Sequence, residues 1–393
     1  MASRDPLKAR PTDLVAGWGQ VCGWRLARQG ITAPGDDPVE VTARIAGVQA
    51  QVTSSAELTL GLRTTSTPDV SRLLWDERAL VRTWAMRGTL HWLPAREFAL
   101  WTAALRTREW RITPGWERYH GVTAAELDAV TAAIPAALEG RRLTRDELAQ
   151  RLAEVTGNAH LHRQLRSGWG AVLKPAANQG LLCFGPDRGR NVTFVRPQEW
   201  LGGAGGNGVA GPAPSPEEAL RTVLRRFLDA YGPATHKDFG RWFGVPERPA
   251  REVLAAHAED LVVVEVDGLR AWLTPRGAEA LARAEPADGV HLLGGFDPYV
   301  LAPLSHRAAL IPDGHIDDVS RAAGWISAVV LVDGAVAGTW TVDSSAGGTV
   351  VAVTPFAPLP AQVVGAISER ADALGARGLL PGPVTVQVGA PTA

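Results

Sequence analysis

Two alternating apolar runs, Leu261 to Val266 and Leu269 to Leu273, meet across Asp267-Gly268. Asp-Gly between such runs is the strongest short-range signal for a two-residue β-hairpin, because the favoured turn needs positive φ at both central residues. Three helical segments stand upstream. Glu217 to Ala230 is amphipathic, Thr235 caps a helix over His236 to Phe243, and Pro246 to Glu259 carries the third. Helices closed by a two-stranded hairpin outline a winged-helix unit.

The same order is expected twice more. Asp13 to Gln29 places Leu14, Val15, Trp18, Val21, Cys22, Trp24 and Leu26 at helical spacing before Gly30, and a second helix is expected from Pro38 into Val48. A short helix over Ser71 to Glu77 then precedes strands Leu80 to Trp84 and Thr89 to Leu93, joined across Arg87-Gly88. In the second copy Ala124 to Leu138 is helical, and Thr144 with Glu147 has capping-box spacing at the start of the next helix. A third helix is expected over Leu161 to Asn178, and a wing pairs Gly180 to Cys183 with Val192 to Val195 across Gly185 to Gly189. No fixed sequence period accompanies this repetition of architecture.

From Gly289 the pattern turns to strands, expected at His291 to Gly294, Val300 to Leu304, Ile326 to Val332, Ala335 to Val342 and Gly348 to Val353, with a helix over Pro360 to Ala376. Asp333-Gly334 makes a second tight hairpin, whose tip is expected to reach outward. The fold class is therefore α+β: three tandem winged-helix units forming a concave DNA-binding body, with a C-terminal β-rich subdomain. The expected divisions are 1–120, 121–201, a Gly/Pro-rich linker over 202–215, 216–284 and 285–393. The linker lacks the strand, the directly opened helix and the lysine that a phosphate-cradling loop requires.

A 393-residue chain with 46% hydrophobic and 21% charged residues is globular and long enough for two or three units. Its formal net charge of −1 means that any polyanion must be held by a local patch. Between Arg72 and Glu199 basic residues outnumber acidic ones by about six, and almost all are arginine, so the middle of the chain is where a DNA-facing surface is expected. Lys8, Lys174 and Lys237 are the only lysines. Cys22 and Cys183 have neither framework nor metal spacing, which fits a reducing cytosol. No apolar run approaches membrane-spanning length and no signal pattern opens the chain, so a cytoplasmic, monomeric protein away from membranes is expected.

Gly47-Val48-Gln49-Ala50-Gln51 places two amides around a small apolar residue, and Trp84-Ala85-Met86-Arg87-Gly88-Thr89-Leu90-His91 follows about 35 residues later. Together with Phe296-Asp297-Pro298-Tyr299 and Gly338-Thr339-Trp340, these stretches resemble the bacterial AlkZ/YcaQ-type winged-helix DNA glycosylases over roughly residues 12 to 345. The resemblance implies that Gln49 and Gln51 are catalytic, and that Arg87, Thr89, His91, Trp84 and Met86 contact damaged double-stranded DNA. Arg87 is expected toward phosphate and His91 near the abasic sugar, with a satisfied structural histidine beside Trp92 and Leu93 as the equal alternative. Trp84 and Met86 suit a planar adduct, although such residues at strand spacing are more often core. Related members with Gln-x-Asp carry a carboxylate at the second position, so Gln51 resembles the branch acting on toxin adducts. Ala50 is smaller than the aliphatic residue expected between the glutamines.

The chemistry follows from the side chains. A glutamine is no useful general base near neutral pH, but it can orient a water and turn its carbonyl dipole toward positive charge developing on the sugar. That suffices when the leaving group is already good, as in guanine alkylated at N7. The expectation is a monofunctional glycosylase hydrolysing the N-glycosidic bond of bulky N7-alkylguanine adducts or crosslinks, in repair or self-resistance, with little base flipping. No lysine in the motif offers Schiff-base chemistry. No cofactor is expected, and no metal, since neither His160 with His162 nor Asp313, His315, Asp317 and Asp318 has a recognised ligand spacing. The alternative is a noncatalytic DNA-binding regulator or a drug-sequestering protein on the same scaffold.

Overall fold

The computed structural model describes residues 7, 10–166, 170–202, 213–301, 304–345 and 347–392. The chain folds into two compact units, one built from the segments up to Pro68 and from Leu224 onward, the other from Asp69–Val223. It is a mixed α and β protein throughout.

The first unit opens with β1 (Leu14–Ala16) and α1 (Trp18–Arg28), not with one helix from Asp13 as the spacing suggests. The reason is tertiary. Leu14, Val15 and Ala16 pair parallel with Val264, Glu265 and Val266, while the Asp13 carboxylate accepts from the Val263 amide, so the segment extends a distant hairpin. Next come α2 (Pro38–Arg44), the short strand β2 (Val48–Gln49) and α3 (Thr53–Leu62).

The second unit begins with a single helical turn over Arg72–Asp76 and the hairpin β3 (Leu80–Trp84) and β4 (Leu90–Pro94), in register from Leu80 with Pro94 to Trp84 with Leu90. Then follow α4 (Phe98–Leu105), α5 (Pro114–His120), α6 (Ala124–Leu138), β5 (Leu143–Thr144) and α7 (Arg145–Thr156). The Thr144–Glu147 capping box is present as read. The single helix expected over Leu161 to Asn178 is instead α8 (Ala159–Arg166) and α9 (Lys174–Asn178), with Gly170 at φ 76 between them. The hairpin expected as a wing is β6 (Cys183–Arg188) with β7 (Asn191–Val195), turned at Gly189 (φ 63) rather than across Gly185 to Gly189. Gly185 stays in the strand, since a Cβ there would meet Val195 at 2.9 Å. α10 (Pro197–Gly202) ends this stretch, and most of the expected linker lies outside the described residues. The core of the unit packs Trp84, Leu127, Ile134, Leu148, Leu161, Phe184 and Phe194 together.

The first unit resumes at Leu224 within α11 (Pro216–Tyr231) and continues with α12 (His236–Phe243), α13 (Glu247–Ala256), β8 (Val262–Val266), β9 (Leu269–Leu273) and α14 (Pro275–Leu281). Asp267 and Gly268 take φ 47 and 83, the left-handed pair that the Asp-Gly turn demands. The remainder is β10 (Val290–Leu293), α15 (Pro298–Leu301), α16 (Arg307–Leu310), α17 (Ile316–Val319), β11 (Ala328–Val332), β12 (Ala335–Ser345), β13 (Gly348–Pro355), α18 (Ala361–Ala376) and β14 (Val384–Val388). The five strands form one sheet in sequence order, with only the last pair parallel.

Two expectations fail in this sheet. The strand expected at Val300 to Leu304 is helical at its start, because Asp297 accepts the Tyr299 amide and Pro298 presets the first turn. The Asp333-Gly334 tip packs inward: the Tyr299 hydroxyl donates to the Gly334 carbonyl at 2.8 Å, and a Cβ on Gly334 would lie 2.7 Å from Cys22. Among the described residues no single helix is long and apolar enough to cross a membrane; α5 and α6, bent by 63°, pass that test only as a pair, and α6 lies largely in the core.

Candidate active site

The glutamine pair is presented by the end of α2. Asp37 caps that helix, its Oδ1 accepting from Val39 at 2.7 Å, and Pro38 occupies the first helical position. The helix stops at a left-handed turn in which Ala46 has φ 56 and Gly47 φ 98, with the Gly47 amide donating back to the Thr42 carbonyl at 2.9 Å. The chain leaves extended, not helical as expected through Val48. In extended backbone successive side chains point to opposite sides. Val48 and Ala50 are fully buried, whereas Gln49 is half-buried and Gln51 exposed. The small residue between the amides is thus an inward-facing anchor, and α3 begins two residues after Gln51.

The downstream motifs hold this region from behind. Arg63, the C-cap of α3, meets Asp297 through two hydrogen bonds of 2.7 and 2.8 Å, both side chains wholly buried. Trp340 donates its indole N–H to the carbonyls of Leu293 and Val329. A Cβ on Gly338 would stand 2.6 Å from the Thr354 carbonyl, which accounts for the glycine there.

In the second unit the Trp84–Thr89 stretch is a tight turn. Arg87 and Gly88 have φ 56 and 68, the Gly88 amide donates to the Ala85 carbonyl at 3.0 Å, and Thr89 donates its hydroxyl to Met86 at 3.1 Å. Arg87 and Thr89 are half-buried. The aromatic expectation is corrected: Trp84 is 4% exposed, with its ring 4.7 Å from Phe184 and 6.0 Å from Phe194, and a Cβ on Gly170 would strike it at 2.5 Å. Met86 is fully buried as well. Both are core residues, Trp84 at the end of β3 and Met86 in the turn that follows it. His91 is 2% exposed and shares a hydrogen bond of 3.0 Å with the Thr89 carbonyl through Nδ1. Burial first, then the Arg87 charge, pushes its pKa down to about 3. A neutral ring therefore donates from Nδ1 to that carbonyl and steadies the turn, which is the structural alternative for His91.

Residues 42–377 match the family described as DNA glycosylase AlkZ-like, a span that contains every motif above. The chain belongs to the AlkZ-like DNA glycosylases. It is 40% identical over 367 residues to the interstrand DNA cross-link repair glycosylase of Streptomyces sahachiroi, covering 91% of this chain and 95% of that relative. Among solved structures it superimposes on Streptomyces sahachiroi DNA glycosylase AlkZ with a TM-score of 0.84 at 38% identity, covering 95% of this chain and 100% of that one. This AlkZ-like protein is a DNA glycosylase, and its partner is DNA.

Two cations that the sequence reading left out join the turn of the second unit. Arg108 donates to the Ala85 carbonyl at 2.9 Å, and the Lys174 side chain lies over Gly88, whose Cβ position is 3.5 Å from Cδ and 3.6 Å from Nζ. The scarcity of lysine was the only sequence signal that set Lys174 apart. The histidines weighed as metal ligands have other partners: His160 meets the Gly121 carbonyl at 2.7 Å, His162 lies 3.5 Å from Asp146, and His315 stacks on Phe356 while facing Asp318 at 2.9 Å. No cluster of three metal-binding side chains occurs among the described residues.

Proposed function

We propose that this AlkZ-like protein is a monofunctional glycosylase hydrolysing the N-glycosidic bond of bulky, cationic N7-alkylguanine in duplex DNA, as adducts or crosslinks, and that Gln49 and Gln51 carry the reaction. The supporting observation is the alternation at the motif, where Val48 and Ala50 are buried and the two amides stand on the accessible side. The helix-and-hairpin segments around β3–β4, β6–β7 and β8–β9 then act as winged helices that hold the duplex by its backbone.

The amides do no proton abstraction. One carbonyl accepts from a water and aims it at the anomeric carbon, while both carbonyl dipoles face the charge that grows on the deoxyribose as the bond breaks. The alkylated purine supplies the rest of the driving force, since departure neutralises its own positive charge. Anchoring the pair between the left-handed Ala46-Gly47 turn and α3 fixes those dipoles before substrate arrives. The name of the Streptomyces sahachiroi relative, a cross-link repair glycosylase, supports the choice of a bulky substrate and a role in repair or self-resistance.

The test is incubation with N7-alkylated duplex, followed by hot alkali to cleave abasic sites. Strand cleavage that depends on the alkylated base is expected; binding to the duplex with no abasic sites would overturn the reading in favour of a regulator.

A further inference from the structure

Lys174 and Arg108 bring two cations to the Ala85–Thr89 turn. Both are half-buried. Among the described residues no carboxylate pairs with either, and Arg108 donates instead to the Ala85 carbonyl. Other arginines in the same unit do find carboxylates, as Arg166 finds Asp146 at 2.6 Å and Arg188 finds Glu147 at 2.7 Å. Burial lowers the pKa of Lys174, and the Arg108 charge lowers it further. Burial alone does so for Arg108. Two like charges partly withdrawn from water repel one another, and the chain leaves this unrelieved.

Both side chains converge on one piece of backbone. Arg108 bonds the Ala85 carbonyl, which also receives the Gly88 amide, and the ammonium of Lys174 stands over Gly88. Arg87 lies between these two residues of the turn, at φ 56, close enough for its charge to act on His91. The ordinary relief for such a cluster is an anion, and a lysine ammonium with an arginine fork is what a phosphate oxyanion takes.

We propose that Lys174 and Arg108, seated on the Ala85–Thr89 turn, form a clamp for one phosphodiester of the DNA backbone. The inference rests on the glycosylase reading only in naming DNA as the source of the phosphate. Both residues act as positioning residues: they hold the strand and touch neither the base nor the glycosidic bond. The contact carries no sequence information, so it tightens all duplexes alike.

The experiment measures the affinity of the full-length protein for a duplex with a non-hydrolysable abasic analogue, across about 50 to 200 mM salt. Because no excision is involved, the result is independent of whether the glutamine pair is catalytic. Lys174→Ala is expected to weaken binding several-fold at the low-salt end and to make the salt slope shallower by about 0.9, the share of one phosphate contact. Lys174→Arg should restore both, since it keeps the charge. The free K174A protein should melt at the wild-type temperature or slightly above, because a repelling charge has been removed. An unchanged affinity and slope would overturn the proposal, as would a K174A variant whose lost affinity tracks a lowered melting temperature. An unmoved slope sinks the clamp and leaves the glutamine reading standing, because abasic-site formation on alkylated duplex is scored in a separate assay of the wild-type protein.

Discussion

Arg63 and Asp297, 234 residues apart, form a two-point ion pair with neither side chain exposed to solvent. One partner ends the helix that follows the glutamines, and the other opens the Asp-Pro-Tyr turn after β10. Removing one charge leaves its mate buried without a counter-ion, which costs about 3 to 5 kcal/mol. Asp297→Asn and Arg63→Met are therefore expected to lower unfolding free energy by that much in denaturant titrations. A loss under about 1 kcal/mol would mean that water reaches the pair.

Gln49→Ala and Gln51→Ala should each slow excision by about 100-fold, the scale of losing one preorganised polar group from a transition state. Duplex affinity and melting temperature should hardly move, since the amides are not core groups. Single-turnover kinetics on alkylated DNA decide it, and wild-type rates in both variants would remove the pair from the mechanism.

His91 makes stability depend on acidity. Its folded-state pKa of about 3 lies below the ordinary value near 6.5, so between those values the unfolded chain binds the extra proton. The stabilisation is complete above pH 6.5 and is lost as pH falls toward 3. From pH 7 to 5 the group costs about 2 kcal/mol, at roughly 1.4 kcal/mol per pH unit below 6.5. Comparing wild type with His91→Gln by denaturation at both pH values should show this acid penalty in the wild type only, and an equal slope in both would assign the acid sensitivity to other groups.

Trp84→Ala should behave as a core deletion, losing about 3 to 5 kcal/mol through the cavity left beside Phe184 and Phe194. At temperatures where the variant is still folded, affinity for alkylated DNA should match the wild type. A selective loss of affinity at unchanged stability would return Trp84 to the DNA surface.

What the sequence made legible was local. The Asp267-Gly268 hairpin, the Thr144 and Thr235 caps and the bounds of α6 rest on turn chemistry and periodicity over a few residues, and the structure reproduces them. What it hid was decided at long range. Leu14 to Ala16 has helical spacing yet becomes a strand because β8 offers an unpaired edge about 250 residues away. β14 went unseen since Val384 to Val388 is short and pairs parallel to β13, which leaves no hairpin signal. The glutamines were found by resemblance, while their outward placement depended on the Ala46-Gly47 turn. Trp84 and Met86 were misplaced because strand alternation does not say which face is inward. Arg108 and Lys174 carry no pattern of their own; only folding brings them to one turn.

The unit bearing the glutamines is assembled from both halves of the chain, with β1 docked on β8 and Arg63 bound to Asp297. During synthesis the first 68 residues therefore leave the ribosome long before their partners exist, and must wait for the intervening unit and most of the remainder to emerge. A polypeptide stopped before β8 would hold the two amides on a segment that lacks both of these long-range contacts.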